Sequence, residues 1–194
     1  MAKQFKFDLH IHTNFSDSIA TPEEIINRAI AIGLDGIAIT DHDTMDGYNK
    51  IKKKVRDYNL VIISGVEITT PLGDILAYGI EEMPSGSPTE ILDKIHAAGG
   101  VAAIAHPYAG FWRMSFADMI DIIKHKIDAI EIFNAFTPLE ANIRAMELAK
   151  RAKLPGIGGS DAHVLDMVGA AFTVSNEKDI LKAIKAGKVK VGWI

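Results

Sequence analysis

Four short apolar runs in this chain each end on side chains that bind metals or move protons. They are Asp8-Leu9-His10-Ile11-His12, Thr40-Asp41-His42, Gly65-Val66-Glu67 and Ala105-His106-Pro107. A fifth cluster, Ser160-Asp161-Ala162-His163, follows the glycine-rich turn Gly156-Ile157-Gly158-Gly159. Such endings can share one site if the runs lie side by side and finish at the same edge. Parallel strands of an α/β barrel or open sheet meet that condition, and those folds keep their sites at the carboxyl ends of the strands.

The rest of the pattern agrees. Strand-like runs cover Phe5–His10, Gly36–Thr40, Val61–Val66, Val101–Ala105, Ala129–Phe133 and Gly156–Gly158, and several are continuously apolar, as buried parallel strands are. Helical patterns alternate with them. The first opens at Thr21-Pro22-Glu23-Glu24, where Thr21 caps, Pro22 suits the first turn and the acids face the positive helix end. It stops at Gly33. Further helices are expected over Met45–Tyr58, from Ser87-Pro88 to Gly99-Gly100, over Phe116–His125, from Pro138 to before Pro155, and over Glu177–Ala186. Asp74–Ile80 reads as an extra strand, turned back on Val61–Val66 through Pro71-Leu72-Gly73, and Ala170–Val174 and Lys188–Gly192 read as late short strands. No stretch reads as an interdomain linker, so a single α/β domain is expected.

Composition narrows the function classes. The 194 residues suit one domain, and 48% hydrophobic content supplies a core. A net charge of −4 argues against bulk nucleic-acid binding, which needs a basic face, but not against a nucleotide substrate. With no cysteine, disulfides, thiolate zinc sites and cysteine nucleophiles are excluded. The amino-terminal residues lack an apolar signal region and no run is long enough to span a bilayer, so a soluble cytoplasmic protein is expected. Phosphate-binding loops, dinucleotide fingerprints and Gly-x-Ser-x-Gly elbows do not occur.

His10 and His12 are two apart on a strand, so both face one side and can hold one divalent ion. Asp8 has the same parity and either orients a histidine from behind or serves as a structural acid on that inner face. Asp17 lies in the loop just after the pair, and His42, Glu67 and His106 end their strands. Glu67 can bridge two metals. Asp161 and His163 follow the glycine turn, and Glu131 or Asn134 can complete a shell. Arg113, shortly after His106-Pro107, can grip a phosphate with its forked guanidinium, and Phe111 and Trp112 can stack on a ring.

Taken together, Asp8-Leu9-His10-Ile11-His12-Thr13, Ser16-Asp17, Thr40-Asp41-His42, Glu67, Ala105-His106-Pro107 and Ser160-Asp161-Ala162-His163 resemble the PHP (polymerase and histidinol phosphatase) family, in family order over most of the chain. The resemblance implies a distorted seven-stranded (β/α) barrel with two or three divalent ions, commonly manganese, iron or zinc. It implies one ion on His10, His12, Glu67 and Asp161, a second on Glu67 and His106, and a third on Asp17, His42 and His163. The second ion usually has one more histidine or cysteine ligand, and Glu131 is the only substitute the sequence suggests. Asp161, His163 and His42 are expected to act in catalysis as well. Family members with a large insertion carry it between the bridging glutamate and the His-Pro motif. Here that interval is short, which argues against a large lid.

A mixed imidazole–carboxylate shell suits zinc, manganese or iron. Bound divalent ions offset the carboxylates, attract a phosphate dianion and lower the pKa of water. The expected activity is metal-dependent hydrolysis of a small phosphorylated metabolite or nucleotide by activated water. The rivals are an amidohydrolase-like enzyme using similar chemistry at carbon, and a non-catalytic barrel that only binds. Oligomeric state is not readable from the sequence.

Overall fold

The computed structural model of the chain describes residues 3–110 and 115–194. Along the chain run β1 (Phe5–Asp8), α1 (Pro22–Ala31), β2 (Gly36–Ile39), α2 (Asp46–Ile51), β3 (Val61–Thr70), β4 (Gly73–Tyr78), α3 (Pro88–Ala97) and β5 (Val101–Ile104). Then come α4 (Phe116–Ile123), β6 (Ala129–Asn134), α5 (Leu139–Ala152), β7 (Gly156–Gly159), β8 (Ala171–Ser175), α6 (Ile180–Lys185) and β9 (Val189–Trp193). All strands belong to one sheet, in the order β7-β6-β5-β4-β3-β2-β1-β8-β9. β1 to β3 are parallel, β4 runs back between β3 and β5, and β5 to β7 are parallel again.

The sheet curls into a nearly closed, distorted barrel. β8 lies antiparallel on β1 and reaches β7 through Thr173, whose hydroxyl donates to the Gly158 carbonyl (2.9 Å) and accepts from its N–H. Beyond the end of β1 the chain meets the residues that follow β7. The Asp161 N–H donates to the His10 carbonyl (2.8 Å), and the His12 N–H to that of Ala162 (3.1 Å). The expected α/β barrel is therefore present, with nine strands among the described residues in place of seven because β8 and β9 extend the sheet at its seam.

Phe7, Leu9, Ala38, Ile63, Leu76 and Tyr78 are among the side chains that fill the barrel, and Ile180, Ala183 and Ile184 of α6 pack beneath them. Small residues such as Ala38, Ala103 and Ala129 leave room for Phe7 and Tyr78. Tyr78 is fully buried, and its hydroxyl donates across the interior to the Leu9 carbonyl (2.9 Å). Burying each such large side chain contributes roughly 1.5–3 kcal/mol. With the interior filled from below, the ligand-bearing chain ends lie at the opposite, open end.

Helix boundaries follow local chemistry. Thr21 caps α1 in a reciprocal box with Glu24, and Ser87 does the same for α3 with Glu90. The helix expected over Met45–Tyr58 is shorter. After α2 the chain tightens into a 3-10 turn over Lys52–Asp57 with no buried residue. Its lysine run offers no apolar stripe to hold a regular helix against the barrel. The last helix begins late because Asp179 caps it by accepting from the Lys182 N–H (3.0 Å). Among the described residues no helix is long and apolar enough to cross a membrane.

Candidate metal centre

His10 and His12 face inward through a slip in strand alternation. Phe7 and Leu9 pack inside the barrel, whereas Ile11 packs outside against Ile25 and Ile26 of α1. Strict alternation from Leu9 would put Ile11 inside, so the phase shifts by one around His10. Asp8 therefore does not share the face of the histidines, contrary to the sequence expectation. Its Oδ1 accepts from the backbone N–H of Ser160 (2.9 Å) and His10 (3.3 Å), and its Oδ2 from that of Gly169 (2.8 Å). Asp8 ties the seam together and touches neither imidazole.

His10, His12, Glu67 and Asp161 form the most buried group, with one ligand atom from each within 4.8 Å of the others. Glu67 Oε2 lies 2.9 Å from His10 Nε2 and 3.3 Å from His12 Nε2, and Asp161 Oδ1 lies 3.0 Å from His12 Nε2. Despite these approaches, both ring nitrogens of His12 and Oε1 of Glu67 are buried without a hydrogen-bond partner. Burying such atoms unpaired costs about 1–3 kcal/mol each. A divalent cation satisfies imidazole lone pairs and carboxylate oxygens together, so the donor set fits a metal. Asp161 has a left-handed backbone (φ 54°), uncommon outside glycine and one that aspartate tolerates better than most residues. Gly159 lets the two lips of the seam approach, since a Cβ there would stand 2.4 Å from that of His10.

His12, Asp17, His42 and His163 form a second group nearer solvent. Buried Asp41 anchors the loop that carries Asp17, accepting from Thr13 N–H (2.6 Å), Thr13 Oγ1 (2.7 Å) and Ser16 Oγ (2.7 Å). His163 Nδ1 donates to the Asp161 carbonyl (2.9 Å), which leaves Nε2 facing Asp17 Oδ2 at 3.1 Å. His42 Nε2 lies 3.6 Å from the same oxygen, and its Nδ1 lies 3.4 Å from Glu67 Oε2.

His106 follows β5 by two residues, with its Nε2 2.9 Å from Glu67 Oε1. Glu131 stands behind His10. Its Oε1 accepts from His10 Nδ1 (3.0 Å), and its Oε2 from the His106 N–H (2.9 Å) and Asn134 Nδ2 (3.1 Å). Asn134 Nδ2 also donates to Asp161 Oδ2 (3.0 Å), while its Oδ1 accepts from Phe136 N–H (2.9 Å) and Thr137 N–H (3.1 Å). The structure gives two of the residues singled out in the sequence other roles and adds one that the sequence did not place at the site. Asp41 and Asn134 organise its loops, and Asp74 of β4 lies beside Glu67 and His106. Arg113, Phe111 and Trp112 lie outside the described residues.

The charges are coupled. Burial alone would discourage protonation of His10, but Glu67, Asp161 and Glu131 hold its pKa well above the usual imidazole value. Burial also opposes protonation of His106, and Glu67 with Glu131 overcomes it and lifts His106 to about 9. His12 is raised against the same burial effect by Asp161 and Glu67. Burial would raise Glu67 and Asp161, yet the surrounding imidazoles hold both below the ordinary carboxylate range.

Outside the ligands opens a cleft of about 400 Å³, lined by Asp17, His42, Glu67, His106, Asp161 and His163 with Phe136, Thr137 and Pro138. Phe136 is 61% exposed, and its ring centroid lies 5.3 Å from that of His163. The loop presenting it is fixed by two buried asparagines. Asn134 binds as described, and Asn142 Nδ2 donates to the Asn134 carbonyl (2.9 Å) while its Oδ1 accepts from the Asn134 N–H (3.0 Å).

The PHP domain model matches residues 8–111, which contain His10, His12, Asp17, His42, Glu67 and His106. The chain belongs to the PHP family. A second model, described as PHP-associated, matches residues 140–189 of this PHP-domain chain, around Asp161 and His163. An uncharacterized protein of Methanocaldococcus jannaschii is 34% identical over 144 residues, covering 68% of this chain and 82% of that one. A 5′-3′ exoribonuclease of Haemophilus influenzae is 38% identical over 65 residues, 34% of this chain and 24% of the relative. A two-domain protein from Bacteroides vulgatus, containing a predicted PHP-like metal-dependent phosphoesterase, superposes with a TM-score of 0.80 at 18% identity. That match covers 98% of this PHP domain and 65% of the two-domain chain, and it establishes likeness of fold.

Proposed function

We propose that this PHP domain is a metal-dependent phosphoesterase that hydrolyses a small phosphorylated metabolite or nucleotide with activated water, using two or three divalent ions of manganese, iron or zinc. The observation carrying this reading is the set of buried, unpartnered atoms on His12 and Glu67 among further imidazoles and carboxylates, at the base of an open cleft. Membership of the family supports it.

His10, His12, Glu67 and Asp161 would hold the most buried ion, and Asp17, His42 and His163 one nearer solvent. Glu67 would bridge toward His106. When bound, such ions supply Lewis-acid charge and lower the pKa of water. Glu131, with both oxygens engaged, serves His10 as the carboxylate that fixes its ring and tautomer. Asp161 stays ionised. Asn134 holds its Oδ2, so Oδ1, which lies beside His12 Nε2, would face the ion with one lone pair and accept a hydrogen bond from the attacking water with the other. Water oxygen bonds to phosphorus as the ester P–O bond breaks, one water proton ends on the leaving oxygen, and the resulting alcohol departs through the cleft past the partly exposed His42 and His163. Phe136 stands where a planar ring on the substrate would lie.

The test is phosphate release from histidinol phosphate, mononucleotides, nucleotide bisphosphates and short 5′-phosphorylated oligonucleotides, by protein of measured metal content. Turnover that a chelator abolishes and a divalent ion restores is expected. Full activity in demonstrably metal-free protein would overturn the reading, and amide hydrolysis without phosphate release would favour the amidohydrolase alternative.

A further inference from the structure

The two oxygens of Glu67 face different neighbours. Oε2 is the atom that approaches His10, His12 and His42. Oε1 points the other way, toward His106 Nε2 at 2.9 Å, and is fully buried with no hydrogen-bond partner. A second cation position on that side would have two ligands already, and sequence reasoning offered only Glu131 as a third. Three donors occupy the Glu131 carboxylate, however: His10 Nδ1, the His106 N–H and Asn134 Nδ2.

β4 supplies another carboxylate. Leu76 and Tyr78 pack inside the barrel, while Ile75 and Ala77 pack outside under the helices. Alternation therefore puts Asp74 on the interior face, at the open end beside the carboxyl end of β3. Ligand atoms of Glu67, Asp74 and His106 all lie within 4.8 Å of one another.

We infer that Asp74 is a metal ligand, closing a divalent-cation position with Glu67 Oε1 and His106 Nε2. The assignment rests on the metal-centre reading above and goes beyond it by naming the third ligand. It also sets a preference. The buried group offers two imidazoles and two carboxylates, and the outer group three imidazoles and one carboxylate. The Asp74 position has two carboxylates to one imidazole, the richest in oxygen of the three, and such a shell suits manganese better than the two positions richer in imidazole do.

The experiment counts ions on the full chain. Protein stripped with chelator is loaded with Mn²⁺, freed of excess by gel filtration and analysed by elemental mass spectrometry, with affinity from chelator competition. Asp74→Ala should carry about one Mn²⁺ fewer per chain than wild type. Asp74→Asn, which keeps the shape, should bind its weakest ion about 10- to 150-fold less tightly. If Asp74→Ala misfolds by circular dichroism, Asp74→Asn alone decides. Wild-type stoichiometry and affinity in the folded variants would overturn the role of Asp74 and leave the phosphoesterase reading standing. Absence of metal binding in wild type would overturn both. Loss of the Asp74-dependent ion in a protein inactive on every phosphoester would support the ligand while overturning the substrate class.

Discussion

Glu131→Gln is the most informative single substitution, because it changes two atoms' chemistry with almost no change in shape. In wild type Oε1 accepts from His10 Nδ1, which leaves His10 Nε2 free to face the ligand cluster. Oε2 accepts from the His106 N–H and Asn134 Nδ2. A glutamine must place its NH₂ on one side or the other. Toward Oε2, two donors meet a third. Toward Oε1, His10 must accept at Nδ1, so its proton moves to Nε2 and blocks the lone pair that would bind metal. Either choice leaves a buried polar conflict costing about 1–3 kcal/mol. Losing an orienting carboxylate typically weakens metal affinity about 10- to 100-fold, or roughly 1.4–2.8 kcal/mol. Chelator competition against Mn²⁺ or Zn²⁺ should show that loss with the number of ions unchanged, and thermal melting should show the metal-free variant still folded. Wild-type affinity in Glu131→Gln, with His10→Ala strongly impaired, would refute the orienting role. Loss of one whole ion would instead make Glu131 a direct ligand.

Metal affinity should rise with pH up to about 9, because the raised pKa values of His10, His12 and His106 mean that metal must displace protons from them; calorimetry in buffers of different ionisation enthalpy would count the protons released, and a pH-independent affinity would contradict it. Metal-free protein should behave oppositely. The histidines' contribution is complete below about 6.5 and fades as pH rises through their folded values, while that of Glu67 and Asp161 is complete above about 4.5 and fades as pH falls through theirs, so these groups place maximum stability between those limits, as urea melts would show. Phe136→Ala should raise KM about 5- to 150-fold for a ring-bearing phosphoester and leave glycerol phosphate unaffected, and equal effects on both would remove the stacking role. Asp8→Asn sets an amide N–H against backbone donors and should cost about 1–3 kcal/mol in chemical denaturation; a variant as stable as wild type would show that Asp8 does not tie the seam.

Much of the barrel was legible because its signals are local. Apolar runs that end on histidine or aspartate declare a strand and its carboxyl end together, and Thr21 and Ser87 mark helix starts through contacts three residues away. What was illegible depended on contacts between distant segments. The parity of Asp8 was read from a regular strand, and only the packing of Leu9 and Ile11 on opposite sides exposes the slip. Asp74 looks like the polar start of a hairpin strand until β4 is seen to set it against Glu67 and His106. Asn134 was weighed as a ligand, yet its amide is consumed in holding Asp161, Glu131 and the Phe136 loop. The lysine run after α2 was read as a continuation of the helix, but between Lys52 and Asp57 only Val55 packs on the core, and one apolar contact does not hold a regular helix in place.

The seam of the barrel has a consequence for the protein's lifetime. Where β1 gives way to the chain after β7, the ring is shut by hydrogen bonds from the backbone and from Asp8, and both lips carry ligand side chains, His10 and His12 on one and Asp161 on the other. An ion gripping both would act as a clasp between segments some 150 residues apart. Covalent links closing loops of about 100 residues restrict the unfolded chain by up to about 4.7 kcal/mol, and a coordinate clasp works in the same direction while it is held. Metal starvation would then leave the ring folded but quicker to open locally at the seam, so that proteases would cut the metal-free protein faster than the loaded one.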